Sequence, residues 1–231
     1  QQEILQQVLS TIAAMHGRGL WQDDIHLDNF MLQNGQLYVI DAGGIACEQP
    51  GEPLSMQAAL NNLAVFFAQL PPALDDHLPA LLETYARAGA PQAIALVPLQ
   101  AEIARVRRWR IRDYLKKTGR DCSLFSVSKS LSGVTAMQRV RQDEVAALIA
   151  DPDAFIETGH IYKTGGAATV ARVEHEGQRW IIKRYNIKNF THWLKRCWRP
   201  SRAWHSWQAG FLLELEGIAV VANVAVREKR W

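Results

Sequence analysis

Asn34-Gly35, set between short apolar runs at 30–32 and 37–40, constrains this chain more tightly than any other local feature. A two-residue hairpin turn favours residues that tolerate positive φ, and Asn followed by Gly adopts it at the least cost. The dipeptide predicts a β-hairpin with strands on those two runs. Upstream, Ile4, Leu5, Val8, Leu9, Ile12 and Met15 recur at helical spacing, and Gly17 and Gly19 mark a stop. The expected order is a helix over 2–19, a loop over 20–29, the hairpin, and a Gly turn over 41–44.

The hairpin is flanked by chemistry. The loop before it reads DDIHLDN over 23–29, and the strand leaving it reads VIDAG over 39–43. A hairpin returns Asp41 toward the end where Asp24 and Asn29 enter. A carboxylate there can accept or orient the proton of an attacking hydroxyl. An amide and a second carboxylate can hold Mg²⁺, a hard cation that takes oxygen ligands and bridges nucleotide phosphates. The spacing predicts a phosphoryl-transfer site with Asp24 as the catalytic carboxylate and Asn29 and Asp41 as metal ligands. Gly43 is expected to let the backbone turn after Asp41. His26 is expected to pack within the loop, and Asp23 and Asp28 to be solvated or to cap turns.

Further along, apolar spacing predicts helices over 56–70 (stopped by Pro71-Pro72), 74–88 and 98–118, the last strongly basic. A basic run of this kind is either a solvated helix face or a contact for an anionic partner. After Gly119 the pattern becomes strand-like, with strands over 123–127 and 134–140 about Ser132-Gly133, and a short helix over 143–150. Three strands are predicted over 160–162, 169–175 and 179–185, then a helix over 201–216 and a pair of strands over 218–228 around Asn223. The expected architecture is an α-rich unit over 1–118 and a β-rich unit with one long helix over 119–231.

Charge follows the same division. Residues 1–104 carry two basic and eleven acidic side chains, whereas residues 160–231 carry thirteen basic and five acidic ones. An acidic-then-basic split argues for at least two units, and opposite charge would allow them to dock. Cys47, Cys122 and Cys197 are odd in number and widely spaced, so they predict buried or free thiols in a reducing compartment rather than a disulfide framework. No run approaches the roughly 18–20 apolar residues that span a bilayer, and no signal peptide is visible. The chain opens in a helical pattern without an initiator Met, which reads as a piece of a longer protein.

The later unit has its own phosphate signal. Small residues around Gly165 and Gly166 separate two predicted strands, and their backbone N–H groups could cover phosphates, although a simple hairpin turn explains the glycines equally well. Trp180-Ile181-Ile182-Lys183 then forms an apolar strand ending in a lysine placed to pair with nucleotide phosphates. Basic and aromatic residues interleave over 187–207, a pattern compatible with a membrane surface, a phosphorylated glycan, nucleic acid, or packing of a helix on a sheet. No nucleic-acid module signature accompanies it.

DDIHLDN followed by IDAG resembles the catalytic and metal loops of the protein-kinase-like superfamily. The segments GHIYKTGGAATVARV, RWIIKRYN and SRAWHSW, leading to LEGIAV, look like the amino-terminal lobe of the lipopolysaccharide core kinases, which phosphorylate heptose or Kdo. The resemblance implies kinase-like lobes in reversed order within an α+β fold, the carboxy lobe first. It implies ATP and Mg²⁺ as cofactors and a core-sugar or similar glycolipid acceptor. Gly165, Gly166 and Lys183 would bind nucleotide, with Asp24 catalytic and Asn29 and Asp41 on the metal. The implied location is cytoplasmic, with peripheral contact at the inner membrane and no nucleic-acid partner.

Departures from the family pattern are specific. Gln22 stands where the family usually has His two residues before the catalytic Asp, and Ala42 replaces the Phe after the metal Asp. Only two glycines form the loop, and His205 and Ser206 fall near the place where many kinases put the Glu that pairs with the lysine. These favour the alternative of a catalytically inactive, kinase-like binding domain. A metal-dependent hydrolase built on Asp24, His26, Asp28 and Asp41 is the third reading. The reversed order fits halves of two tandem domains, a circular permutant, or a fusion artefact.

Overall fold

The periodic apolar residues of the first half become helices that share one core. The computed structural model describes residues 2–186 and 201–229. Cys197, Trp231 and the 187–200 part of the basic–aromatic stretch lie outside the described residues. Helix α1 (Gln2–His16) buries Val8, Leu9 and Ile12 of the expected stripe together with Ala13, while Ile4 at its start stays exposed and Leu5 and Met15 are half-buried. It packs with α2 (Met56–Phe67), α3 (Leu78–Arg87) and the first half of α4 (Leu96–Lys117), which contribute Leu63, Phe66, Phe67, Leu81, Tyr85, Leu99 and Ile103. Ser55 caps α2 by accepting the Ala58 N–H, a contact whose loss costs about 1 kcal/mol.

Two short strands were not expected, one inside the predicted loop over 20–29 and one just past the predicted Gly turn over 41–44. Strand β1 (Leu20–Gln22) pairs antiparallel with β4 (Ile45–Cys47), Gln22 opposite Ile45. Between them lies the hairpin of β2 (Phe30–Gln33) and β3 (Gln36–Val39), turned at Asn34 (φ 51°) and Gly35 (φ 78°). Gly19 is compelled by space as well as by its φ of 71°, since a Cβ there would lie 2.4 Å from the Glu52 carbonyl oxygen.

The basic run on α4 is partly used internally. Arg107 forks onto Asp75 at 2.6 and 2.8 Å and also donates to the Phe67 and Leu70 carbonyls at the end of α2. The Phe67 carbonyl also accepts the Leu70 N–H at 3.1 Å, and carbonyls past the last turn of a helix lack helical partners. Arg105 pairs with Glu102 and Lys117 with Asp113, while Trp109 stays largely exposed.

Among the described residues the later half is built from two three-stranded sheets and helices. Strands β5 (Phe125–Ser130) and β6 (Gly133–Gln138) form a hairpin. Helices α5 (Gln142–Ala150) and α6 (Pro152–Thr158) follow, the latter unforeseen although Asp151 caps it with Pro152 at its start. Strands β7 (His160–Lys163), β8 (Ala168–His175) and β9 (Gln178–Tyr185) form an antiparallel meander close to the expected bounds. Helix α7 (Arg202–Leu215) follows. Only one strand, β10 (Ala225–Lys229), is present where a pair was expected around Asn223.

Asn223 has a different use. Its side-chain amide donates to the Ser206 and Trp207 carbonyls of α7 at 3.5 and 3.2 Å. It pairs with helix backbone instead of turning a hairpin. β10 instead pairs with β6, completing the sheet β10-β6-β5. Gly210 makes room, because a Cβ there would lie 1.6 Å from Asn223 Nδ2.

The molecule is thus mixed α+β with small antiparallel sheets. Contacts divide it into Gln1–Arg110 and Ile111–Trp231, a boundary within α4 rather than at the change of pattern near 118. The first unit has one core. Among its described residues the second has two, one around Phe125, Trp207 and Phe211 and another around Val145, Ile156 and Val173. Among the described residues no helix is long and apolar enough to cross a membrane.

Candidate functional site

In the first unit, backbone pairing brings the three motif residues' segments together. The Asp23 N–H bonds the Gly44 carbonyl at 2.9 Å, and the Ile40 N–H bonds the Asn29 carbonyl at 2.8 Å. Asn29 Nδ2 donates to the Asp24 carbonyl at 2.9 Å. One amide side chain therefore closes the loop that carries Asp24, while the same residue's backbone ties down the strand that leads to Asp41. Ile25 is fully buried in the helical core and anchors this loop from the other side. The Gln69 side chain also donates to the Ile25 carbonyl.

The side chains differ in what they leave free. Asp24 and Asp41 are exposed, and neither carboxylate has a hydrogen-bond or ion-pair partner among the described residues. Asn29 is buried, and with Nδ2 committed to Asp24 its Oδ1 is the acceptor that remains. Asn29 Oδ1 and the Asp41 carboxylate are both hard oxygen donors, the chemistry Mg²⁺ takes when water and phosphate oxygens complete the shell. The residues present fit that ion. Among the described residues no three His, Cys, Asp or Glu side chains gather as a metal cluster. Asp23 accepts from Trp21 Nε1 at 2.8 Å, and His26 lies 3.7 Å from the solvated Asp28 carboxylate.

Gly43 was expected to make the turn, but the left-handed residue is Asp41 itself (φ 57°, ψ 63°). Gly43 is absent from the positive-φ positions among the described residues. Most residues with a Cβ avoid this conformation, Asn and Asp least so, and the surroundings of Asp41 hold it there. Gln22 Nε2 donates to the Asp41 carbonyl at 3.0 Å and to the Ile40 carbonyl at 3.3 Å.

Gln22 is itself held by a buried chain that sequence reasoning missed. Its carbonyl accepts from Asn62 Nδ2 at 2.8 Å, Asn62 Oδ1 lies 3.0 Å from His16 Nε2, and His16 Nδ1 lies 2.7 Å from the Tyr85 hydroxyl. The donor order follows from chemistry. With Nδ2 donating to a carbonyl, Asn62 Oδ1 must accept, so His16 carries its proton on Nε2 and Nδ1 accepts from Tyr85. Burial pushes the His16 imidazole below its ordinary pKa, with the Asn62 bond working the other way. Burial also raises the Tyr85 phenol well above its usual range, which keeps it a donor. The chain runs from α3 through α1 and α2 to β1 and the Asp41 turn. Its members are far apart in sequence, so only a polar residue on an apolar helical face (His16, Asn62) could have signalled it.

In the second unit, Gly165 (φ 78°) and Gly166 (φ 60°) make the turn from β7 to β8. A Cβ at either would meet nothing, so conformation rather than crowding calls for glycine. Neither glycine amide has a hydrogen-bond partner among the described residues. Lys183 is exposed on β9 opposite Val170, and Lys163 of β7 is opposite Val170 on the other side. A bulge between Ile161 and Lys163 turns Lys163 onto the face of Val170 and Lys183. Two lysines thus flank one valine beside a glycine turn, an arrangement suited to an anion. Sequence spacing had pointed to Lys183 alone as the phosphate-binding lysine. Asp24, Asn29 and Asp41 belong to the first unit, and Gly165, Gly166 and Lys183 to the second.

No protein-family model, curated protein or solved structure matches this chain.

Proposed function

We propose that the chain carries the working parts of an ATP- and Mg²⁺-dependent phosphotransferase of the protein-kinase-like kind, with its two lobes in reversed order. One observation carries the reading. Asn29 bonds the Asp24 carbonyl and the Ile40 amide together, while Gln22 holds the Asp41 carbonyl, so the segments that carry Asp24, Asn29 and Asp41 are tied together at the open end of one small hairpin. Gln22, a departure from the family's His, still reaches the backbone of the metal-loop residue.

Asp24 accepts or orients the acceptor hydroxyl's proton through its exposed carboxylate. Asn29 and Asp41 would hold Mg²⁺, which when bound supplies charge neutralisation at the transferring phosphoryl group. Gly165, Gly166, Lys183 and Lys163 bind and orient the nucleotide phosphates. Positioning and electrostatics supply the catalysis. By the resemblance, the acceptor is a hydroxyl of a lipopolysaccharide inner-core sugar or similar glycolipid, and the work is done in the cytoplasm with peripheral contact at the inner membrane.

A second reading has its own observation. Among the described residues no carboxylate forms an ion pair with Lys183, which favours a nucleotide-binding domain without transfer. The hydrolase reading, which needs Asp24, His26, Asp28 and Asp41 as a cluster, finds no such grouping among them. Calorimetry with ATP, with and without Mg²⁺, tests the proposal on wild type, Lys183→Ala and Asp41→Ala. Mg²⁺-dependent binding that both substitutions weaken supports it. Binding indifferent to both, or no binding, refutes it. Binding without any phosphate transfer to core-sugar acceptors would select the inactive reading.

A further inference from the structure

Among the described residues no carboxylate pairs with Lys183, yet its ammonium is not without a neighbour. Nζ stands over the Tyr185 ring, 4.9 Å from its centroid, within reach of a cation–π attraction. The two residues are two apart on β9, so they project to the same face of the sheet. The ring is fixed in turn, because its hydroxyl lies 2.6 Å from the Ser206 hydroxyl on α7. Just beyond, the Asn186 N–H bonds the Ala167 carbonyl at 3.0 Å, and Asn186 Nδ2 reaches Thr169 Oγ1 at 3.4 Å. These bonds tie the end of β9 to the glycine turn.

We propose that Tyr185, anchored to α7 through Ser206, is the positioning residue for Lys183, holding the lysine's ammonium beside the glycine turn in the place of a carboxylate partner. The inference rests on the nucleotide-binding reading of Lys183 and adds the device that aims it. Geometry suits the task. A tyrosine ring attracts the ammonium without neutralising it, so the full positive charge stays available for a phosphate. A carboxylate would hold it more strongly but would also compete for it. The link to Ser206 means that the lysine's position depends on where α7 lies against the end of β9. Burial acts to raise the Tyr185 phenol, but the Ser206 hydrogen bond, then Lys183 and the Arg202 charge, outweigh it and hold the group below its ordinary pKa. That balance is what a ring between a hydroxyl and an ammonium should show.

The test uses the full chain with two readouts. In carbon–proton correlation spectra, the Lys183 ε-methylene of wild type should be shifted upfield by the Tyr185 ring. The shift should vanish in Tyr185→Leu and shrink in both Tyr185→Phe and Ser206→Ala. An unshifted Lys183 methylene in wild type, or a shift that survives in Tyr185→Leu, overturns the proposal. By calorimetry, Tyr185→Leu should weaken ATP binding roughly two- to five-fold, the fold-change of an exposed cation–π contact. Ser206→Ala should weaken it less, and adding it to Tyr185→Leu should change nothing more. Unaltered ATP affinity in Tyr185→Leu, when Lys183→Ala loses binding, also overturns it. If no variant binds ATP while the methylene shift behaves as expected, the nucleotide reading fails and the lysine–tyrosine–serine arrangement stands.

Discussion

Asn62→Leu probes the buried chain at the link where most is at stake. Asn62 is 5% exposed and serves both directions, accepting from His16 Nε2–H and donating to the Gln22 carbonyl. Leucine has a similar volume, so packing changes little, but a buried N–H and a buried carbonyl lose their partners together. Each unsatisfied group costs about 1–3 kcal/mol, partly offset by the added apolar burial, so a net loss of about 3 kcal/mol is expected for the first unit. That is more than a hundred-fold in its folded-to-unfolded ratio, at about 1.4 kcal/mol per factor of ten. Hydrogen exchange by mass spectrometry isolates the effect, because it reads α1, α2 and α3 separately from the second unit. Peptides from those helices should lose protection by this factor, and peptides from β7, β8 and β9 should not change. Nitrogen shifts of His16 should move from the Nε2–H tautomer toward a mixture. A protection loss under about 1 kcal/mol, with the His16 tautomer unchanged, would refute the claim that Asn62 sets the direction of the chain.

Other consequences follow from the same geometry. His16 has its folded pKa below the unfolded value of about 6.5, so the unfolded chain binds the proton more readily. The stability from this group is present above about pH 6.5 and is lost as pH falls toward the folded value. Urea midpoints for the first unit should therefore decline on acidification through that range, and His16→Gln should flatten the slope. Gly210→Ala forces a Cβ onto Asn223 and should cost about 1–3 kcal/mol; combined with Asn223→Ala, the penalty should be well under the sum, as a thermal-melt cycle would show. Ile25→Ala should cost the first unit about 2–5 kcal/mol by leaving a core cavity, read as a lower urea midpoint at constant slope. Asp24→Ala should abolish phosphate transfer while leaving the circular dichroism spectrum and melting unchanged; retained turnover would remove Asp24 from the mechanism.

The local elements were largely legible because each rests on a short-range cause. Asn34-Gly35 marked the hairpin turn, the stripe from Val8 to Ile12 marked the face of α1, and the breaks near 165 and 176 marked the β7-β8-β9 meander. Most elements without such a cause were missed, as was the short α6 despite its Asp151-Pro152 start. β1 and β4 are three residues each, too short to show a period, and they exist because Gln22 and Ile45 meet across a stretch that contains the hairpin. The expected second strand near Asn223 failed for a related reason. Asn after an apolar run suggests a turn, but here its amide is taken up by the carbonyls of Ser206 and Trp207. Gly43 was credited with a turn that Asp41 makes.

The sequence by itself determined which side chains are available for chemistry and which local shapes carry them. Asp24, Asn29 and Asp41 bracket a hairpin, and Gly165 and Gly166 precede Lys183, by spacing along the chain alone. What only the tertiary structure decided is how those groups are held. Tyr85, His16, Asn62 and Gln22 come from three helices and a strand, and become one line of donors only when their helices share a core. Tyr185 meets Ser206 only when α7 lies against the end of β9. Hydrogen bonds act over about 3 Å and bind whichever partner packing delivers, so a linear sequence spells out the members and the fold alone makes the pairs.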